Sequence, residues 1–147
     1  MNNSDVIIYT DGSSRGNPGP GGYGIVMEHC KSGYVKEYSK GFKLTTNNRM
    51  ELLAVNEALK KLKQTNLKII VYTDSKYVVD SVEKKWLFKW EKLNFKNKKN
   101  SIKIYWIKGH NDHPQNERCD KLAFNAASRE NLFSDTGYEN NNLNTLF

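Results

Sequence analysis

The order of β-branched runs and amphipathic segments along the chain constrains its fold more than any other feature. Strands are predicted at residues 6–9, 25–29, 34–44, 67–72 and 102–107. Helices are predicted at residues 45–64 and 76–83, and from residue 114 onward. Three successive strands followed by alternating helices and strands predict an α/β (α+β) fold, in which helices cover the faces of a mixed sheet. In such sheets, sites gather at the carboxyl ends of the strands.

Length and composition set the broad class of protein. A chain of 147 residues builds about one domain. We expect this domain over residues 1–133, followed by a frayed, Asn-rich tail over residues 134–147. Hydrophobic residues make up 37% of the chain, but no apolar run approaches the ~18 residues that span a membrane. Two distant cysteines and a polar start without an apolar stretch predict a cytosolic, monomeric protein.

Positive charge is concentrated in one part of the chain. The net charge is +7, and residues 84–108 alone carry nine lysines and one acid. Lysines interleaved with aromatic rings favour a polyanion such as nucleic acid, with the rings stacking on sugars or bases. A solvated lysine-rich surface over core aromatics is the alternative. The predicted contacts of this basic segment, residues 84–100, are Lys84, Lys85, Trp86, Lys89, Trp90 and Lys92.

One acidic residue lies on the apolar face of the first predicted helix. A step of about 100° per residue places Glu51 in the middle of the arc that holds Ala54 and Ala58. A buried carboxylate is costly unless it is paired, protonated or bound to a metal. Capping of the helix N-terminus by Glu51 is the alternative, although residues 45–47 already offer caps one turn earlier.

Three further acids complete a candidate site with Glu51. Asp11 and Asp74 each follow a predicted strand, and Asp120 lies at the edge of the apolar stripe on the last helix. Four carboxylates in one cleft would repel one another strongly unless cations lie among them. Ligation by oxygen alone, without cysteine or clustered histidine, favours Mg²⁺ over zinc, with Mn²⁺ as a substitute. The four acids therefore predict a divalent-metal site.

A glycine-rich stretch includes the pattern G-x-G-x-x-G at residues 19–24. This pattern marks a dinucleotide site only when it opens a helix, whereas the residues after it predict a strand. We therefore expect no nucleotide cofactor. The glycines instead predict a loop over residues 12–24 whose backbone approaches a ligand closely, with Asn17 at its tip.

Six blocks in fixed order resemble the ribonuclease H family, and in particular its bacterial-type ribonuclease HI members. They are IYTDGS (8–13), GNPGPGGYG (16–24), TTNNRMEL (45–52), YTDS (72–75), KGH (108–110) and HPQNERCD (113–120). The resemblance spans nearly the whole chain. It implies a ribonuclease H-like fold with a five-stranded mixed sheet, and hydrolysis of the RNA strand of RNA/DNA hybrids. The metal ligands that it implies are Asp11, Glu51, Asp74 and Asp120.

The resemblance also implies a mechanism. Two Mg²⁺ ions would act on the phosphodiester, one activating a water and the other stabilising the departing 3′-oxygen. The products would carry 5′-phosphate and 3′-hydroxyl ends. His110 would assist turnover, and Glu117 would tune the second ion.

Substrate contacts follow from the same resemblance. Asn17, Asn47 and Asn48 would read 2′-hydroxyls and base edges across the shallow minor groove, which distinguishes RNA from DNA. Thr46 and Arg49 would bind phosphates of the DNA strand.

Two features depart from the family pattern. Lys76 stands where bacterial members usually carry glutamine, so groove contact there becomes more electrostatic. The family also has another amphipathic helix between its basic segment and last strand, whereas here Asn100 is followed at once by Ser101.

Two rival functions remain open. One is a binding protein of the same fold that does not cut, and the four intact acids argue against it. The other is a nuclease for DNA or double-stranded RNA, against which the asparagines at positions 17, 47 and 48 argue.

Overall fold

A five-stranded mixed sheet forms the centre of the computed structural model, which describes residues 4–81, 101–107 and 113–139. The strands are β1 (Val6–Ser14), β2 (Gly19–His29), β3 (Tyr34–Thr45), β4 (Lys68–Thr73) and β5 (Ser101–Trp106). The helices are α1 (Asn47–Lys60), α2 (Lys76–Ser81) and α3 (Pro114–Ala127). The strand order is β3-β2-β1-β4-β5, with β1, β4 and β5 parallel and β2 and β3 antiparallel to their neighbours. The predicted fold class is confirmed.

The two long helices cover opposite faces of the sheet. Met50, Ala54 and Ala58 of α1 are buried in one hydrophobic core with Ile8 and Ile25 of the sheet. Helix α3 packs on the other face, against β1, β2 and β3. Alternate residues of a strand point to opposite faces, so each strand of this part of the sheet supplies side chains to both helices.

The glycine-rich stretch forms most of β2 rather than a loop, which corrects the expectation for residues 12–24. A Cβ at Gly22 would lie 2.6 Å from the carbonyl oxygen of Ala123, and one at Gly24 would lie 2.3 Å from that of Cys119. Glycine at these positions lets the backbone of α3 rest directly on the sheet. Gly22 and Gly24 therefore serve helix packing.

The first helix is shorter than residues 45–64. Thr45 pairs with Gly19 as the last residue of β3, so the strand takes the residue that the pattern assigned to the helix. Thr46 caps α1, and its Oγ1 accepts a hydrogen bond from the backbone N–H of Arg49 at 3.3 Å. No helix in the described ranges is long and apolar enough to cross a membrane.

The chain after α3 packs on the sheet, which differs from the expected fraying at Ser134. The backbone N–H of Phe133 donates to the carbonyl oxygen of Gly41 at 3.0 Å, and that of Lys43 donates to the carbonyl oxygen of Phe133 at 2.8 Å. Asp135 is buried, with 4% of its surface exposed. Residues 134–139 are therefore part of the packed structure.

Candidate active site

Strand pairing brings the first two acids together. The parallel pairing of β1 with β4 ends at Thr10 and Thr73, so Asp11 and Asp74 are the next residues on two neighbouring strands. The first strand is longer than the predicted residues 6–9, because β1 continues to Ser14 through its antiparallel pairing with β2. Asp74 therefore follows its strand as expected, whereas Asp11 lies within β1, at the point where the parallel pairing with β4 ends.

Helix α1 brings the third acid to the same place. A Cβ at Gly12 would lie 2.4 Å from the carbonyl carbon of Met50 and 2.5 Å from the backbone nitrogen of Glu51. Only glycine allows the first turn of α1 to pack this closely on β1. As a result, carboxylate oxygens of Asp11, Glu51 and Asp74 all lie within 4.8 Å of one another.

A serine orients one of these acids. The Ser75 hydroxyl donates to Oε2 of Glu51 at 2.6 Å and accepts from the backbone N–H of Val78 at 3.1 Å. Thr46 rather than Glu51 caps α1, so the capping alternative for Glu51 is excluded. No role was predicted for Ser75. A serine that directly precedes a helix is nevertheless a recognisable N-cap signal.

Burial and mutual repulsion dominate the electrostatics of this cluster. Desolvation raises the pKa of Asp11 to about 9, aided by the charges of Asp74 and Asp120 and by a hydrogen bond with Asp120. The backbone N–H of Gly12 donates to Oδ1 of Asp11 at 2.9 Å and opposes that rise. Desolvation and Asp74 raise the pKa of Glu51, while the Ser75 hydroxyl lowers it. The ionised cluster is thus unfavourable on its own.

The fourth acid stands beside this group of three. Asp120 lies on α3 in a half-buried position next to Asp11, as its effect on the pKa of Asp11 shows. The Sγ of Cys119 donates to the carbonyl oxygen of Tyr9 at 3.2 Å, which fixes this turn of α3 on β1. The structure therefore brings three predicted acids into one cluster and places the fourth alongside.

The donor set of the cluster fits a hard divalent cation. Mg²⁺ takes oxygen ligands at about 2.0–2.1 Å, so two of its ligands lie up to about 4 Å apart. The three carboxylates offer oxygens within 4.8 Å of one another, close to that spacing. A cation among them would favour the ionised forms that burial and repulsion now disfavour.

The predicted groove-reading asparagines connect the loop after β1 to α1. Oδ1 of Asn47 accepts from the backbone N–H of Ser14 at 2.6 Å and from its hydroxyl at 3.1 Å. Oδ1 of Asn17 accepts from the backbone N–H of Asn47 at 3.2 Å, next to a cis peptide bond between Asn17 and Pro18. Asn48 is exposed in the first turn of α1. All three asparagines therefore lie around the start of α1, three positions or more before Glu51.

Arg49 is held by the chain after α3. Its Nε and Nη2 donate to the two carboxylate oxygens of Asp135, each at 2.7 Å. Two of its five N–H donors are thus committed within the protein, and 34% of the side chain is exposed. Asp135 was assigned to a frayed tail, although an aspartate before the short helix at residues 136–139 is a typical N-cap.

Lys76 lies beside a tryptophan that also contacts the acid site. Its Nζ lies 4.7 Å from the centre of the Trp106 ring, and Nε1 of Trp106 donates to the carbonyl oxygen of Asp74 at 3.0 Å. A cation over an indole face is attracted by the ring electrons. Trp106 therefore joins Lys76 to the backbone of Asp74, a predicted metal ligand. The sequence pattern did not predict this connection.

Several predictions lie outside the described residues. They concern the histidine of the loop, the junction that lacks a family helix, and the contacts of the basic segment. The residues are His110, Asn100, Lys84, Lys85, Trp86, Lys89, Trp90 and Lys92.

The mixed sheet and the cluster of Asp11, Glu51 and Asp74 describe an α/β protein with a candidate metal site. Comparison with known proteins identifies its family. The family model for RNase H matches residues 3–128. Ribonuclease H of Nitratidesulfovibrio vulgaris is 45% identical over 157 aligned residues, which cover 94% of this chain and 99% of that protein. Ribonuclease H of Idiomarina loihiensis is 44% identical, with 94% and 98% covered. This chain belongs to the ribonuclease H family and is an enzyme of that family.

Solved structures agree with this assignment. LC11-RNase H1 in complex with an RNA/DNA hybrid is similar with a TM-score of 0.67 and 28% identity, covering 84% of this chain and 96% of that one. The N-terminal RNase H domain of a Mycobacterium tuberculosis protein gives a TM-score of 0.69 at 30% identity, with 85% and 94% covered.

The alignment with one of these relatives is longer than this chain. The 157 aligned residues of the N. vulgaris comparison exceed the 147 residues present here, so that relative has residues with no counterpart in this chain.

Proposed function

We propose that this chain hydrolyses the RNA strand of RNA/DNA hybrids with two bound divalent cations, leaving 5′-phosphate and 3′-hydroxyl ends. The observation that carries the proposal is the cluster of Asp11, Glu51 and Asp74, whose carboxylate oxygens lie within 4.8 Å of one another. Membership of the ribonuclease H family and likeness to a structure in complex with a hybrid support the same substrate. Mg²⁺ is the natural cation for this donor set, with Mn²⁺ as a substitute.

The acids would hold the cations, and their neighbours would hold the acids. Asp11, Glu51 and Asp74 are the proposed ligands, with Asp120 completing the set from α3. Bound divalent cations would supply an activated water and would stabilise negative charge on the departing 3′-oxygen. Ser75 keeps Glu51 turned toward the other two acids through its 2.6 Å hydrogen bond. His110 would assist turnover as a proton carrier near neutral pH, and Glu117 would tune the second ion.

Recognition of the hybrid would rest on the start of α1. Asn17, Asn47 and Asn48 would meet base edges and 2′-hydroxyls in the minor groove. Only a duplex that contains RNA presents the 2′-hydroxyls. Thr46 and Arg49 would contact phosphates, and Lys76 would add an electrostatic contact. The basic segment, residues 84–100, would bind the duplex further from the site. We also propose that the protein acts as a cytosolic monomer.

The test compares three duplexes in one assay. A labelled RNA/DNA hybrid, duplex RNA and duplex DNA are incubated with the protein in Mg²⁺ or in a chelator. We expect the RNA strand of the hybrid alone to shorten, and only with Mg²⁺. Cleavage of duplex DNA or duplex RNA at a comparable rate would favour the rival nuclease, and binding without cleavage would favour the rival binding protein.

A further inference from the structure

The chain after α3 is fastened to the start of α1 by one buried carboxylate. Asp135 accepts from Nε and Nη2 of Arg49 at 2.7 Å each, and from the hydroxyl of Thr45 at 2.6 Å. The backbone N–H of Tyr138 adds a fourth donor at 3.4 Å. A Cβ at Gly137 would lie 2.4 Å from Nη2 of Arg49, so the turn after Asp135 covers the guanidinium closely. The guanidinium is therefore held on two sides.

A second arginine–carboxylate pair in the chain shows what is unusual about this one. Nε and Nη2 of Arg118 donate to Glu37 at 2.7 and 2.9 Å, but the two side chains are 49% and 37% exposed. Asp135 is only 4% exposed. Exposed ion pairs fix little, because water competes for both partners. A buried carboxylate that accepts several hydrogen bonds fixes the orientation of its donors.

The held arginine lies within the proposed substrate surface. Arg49 follows Asn47 and Asn48 in the first turn of α1, and its backbone N–H donates to Thr46 Oγ1. One third of its side chain is exposed. Arginine has five N–H donors in a rigid fork, so three remain after the pairing with Asp135. A fork held at one edge presents the other edge in a defined direction.

We propose that Asp135 is a positioning residue for substrate binding, which holds the guanidinium of Arg49 so that its remaining donors meet a substrate phosphate. This inference rests on the proposed function. It extends the functional unit to residues 134–139, beyond the end of the family match at residue 128. It also separates two effects, because Asp135 lowers the net positive charge of this surface while it orders the donor.

The test uses the two opposite effects that Asp135 should have on binding: its negative charge weakens attraction to phosphate, and its hydrogen bonds orient Arg49. Binding of a labelled RNA/DNA hybrid is measured by fluorescence anisotropy in EDTA at low salt, where no cleavage occurs, for the wild type and Asp135→Asn. The substitution removes one negative charge, so electrostatics alone predicts tighter binding. Positioning predicts weaker binding, and we expect the Kd to rise about tenfold, which corresponds to about 1.4 kcal/mol. In Mg²⁺ the KM should rise by a similar factor, while kcat at saturating substrate stays within about twofold.

The matched control is Glu37→Gln, which also removes one negative charge and also breaks a two-bond arginine pair. We expect its Kd to equal that of the wild type or to fall slightly. Thr45→Val serves as a milder second variant, because it removes one donor to Asp135 and keeps the ion pair. It should raise the Kd in the same direction by a smaller factor. Thermal unfolding of each variant fixes an assay temperature at which all are folded.

A double-mutant cycle completes the experiment. If Asp135 acts through Arg49, Asp135→Asn should have no further effect on the Kd in an Arg49→Gln background. Additive effects, an unchanged or lower Kd for Asp135→Asn, or an equal rise for Glu37→Gln would each overturn the inference. Absence of hybrid binding by the wild type would instead contradict the proposed function, so the two failures are distinguishable.

Discussion

Two buried aspartates in this molecule have opposite electrostatic environments. Asp11 is 7% exposed and Asp135 is 4% exposed, so little of either residue's surface contacts water. Burial raises the pKa of Asp11 to about 9, and neighbouring acids add to that rise. The Arg49 guanidinium and the Thr45 hydroxyl hold the pKa of Asp135 below its usual value, despite its burial. At Asp135 the hydrogen bonds from Arg49 and Thr45 outweigh burial and lower the pKa, whereas at Asp11 burial and the neighbouring acids both raise it.

This difference separates the proposed metal site around Asp11 from an ion pair whose partners both lie within the protein. The carboxylate of Asp135 has its donors within the protein, so its ionised form stabilises the fold. The carboxylate of Asp11 faces other carboxylates, so its ionised form costs stability unless a cation arrives. Electrostatic repulsion among buried carboxylates is expected at a site that binds a positively charged ligand. The comparison therefore predicts opposite responses of the two regions to mutation, pH and metal.

Loss of activity at Asp11 is the largest expected effect. Asp11→Asn should abolish cleavage of the hybrid in Mg²⁺, because the amide is a neutral and weaker ligand, while hybrid binding at low salt survives. The measurement is single-turnover cleavage together with binding in a chelator. Asp80→Asn removes the same charge from an exposed position on α2 and should keep nearly normal activity. Near-normal turnover by Asp11→Asn would remove the metal assignment.

Stability in the absence of metal should change in opposite directions. Asp11→Asn should stabilise the fold by about 1–3 kcal/mol at pH 7, because it removes a carboxylate that burial disfavours. Asp135→Asn should destabilise it by about 1–3 kcal/mol, because it breaks hydrogen bonds between charged groups. Chemical unfolding in a chelator measures both. Changes of the same sign would break the comparison.

The pH dependence sharpens the same contrast. Asp135 has a lowered pKa, so its contribution is complete above the unfolded value of about 3.9 and is lost as pH falls through the folded value. Asp11 has a raised pKa, so its cost is absent at low pH and grows as pH rises from about 4 to about 9. The free energy of unfolding of Asp11→Asn should therefore exceed that of the wild type increasingly between pH 5 and 9. The deficit of Asp135→Asn should stay constant over that range and close below about pH 4. A gap between Asp11→Asn and wild type that does not change with pH would contradict the raised pKa.

Lys76 should give the smallest effect. Lys76→Gln removes one cation near Trp106, so the KM should rise a few-fold and the salt dependence of binding should flatten by about one unit on a log–log plot. Lys68→Gln is the control, because Lys68 is exposed at the opposite end of β4 from Asp74. An unchanged salt slope for Lys76→Gln would place this lysine outside the substrate surface.

Local sequence patterns were enough to predict the order of elements and the acids, but not every position in detail. The strand that carries Asp11 continues to Ser14 because β2 pairs with it, and the sequence around Asp11 does not contain that partner. The glycines of β2 were assigned to a loop because their reason for being glycine is the backbone of α3, about a hundred residues later. Short-range patterns therefore predicted which acids gather, whereas contacts between distant residues determine where β1 and β2 begin and end.

Residues that act through a partner were the hardest to predict. Arg49 and Asp135 are 86 positions apart, and nothing in the short polar stretch around Asp135 shows that it is buried. Ser75 and Trp106 act through bonds to Glu51 and to the backbone of Asp74, and each reads as an ordinary residue of its element. Such roles depend on which elements the fold places side by side.

Proton release on metal binding is the most direct test of the central claim. The claim is that the acid cluster binds divalent cations and that its ionised form is unfavourable without them. Burial and the neighbouring acids raise the pKa of Asp11 to about 9, so we expect the metal-free acid cluster to retain a proton at pH 7. Titration calorimetry with Mn²⁺ in two buffers of different ionisation enthalpy measures the protons released. We predict release of about one proton per protein when metal binds, and neither binding nor release for Asp11→Asn. Binding of Mn²⁺ without proton release, or equal binding by Asp11→Asn, would contradict the account.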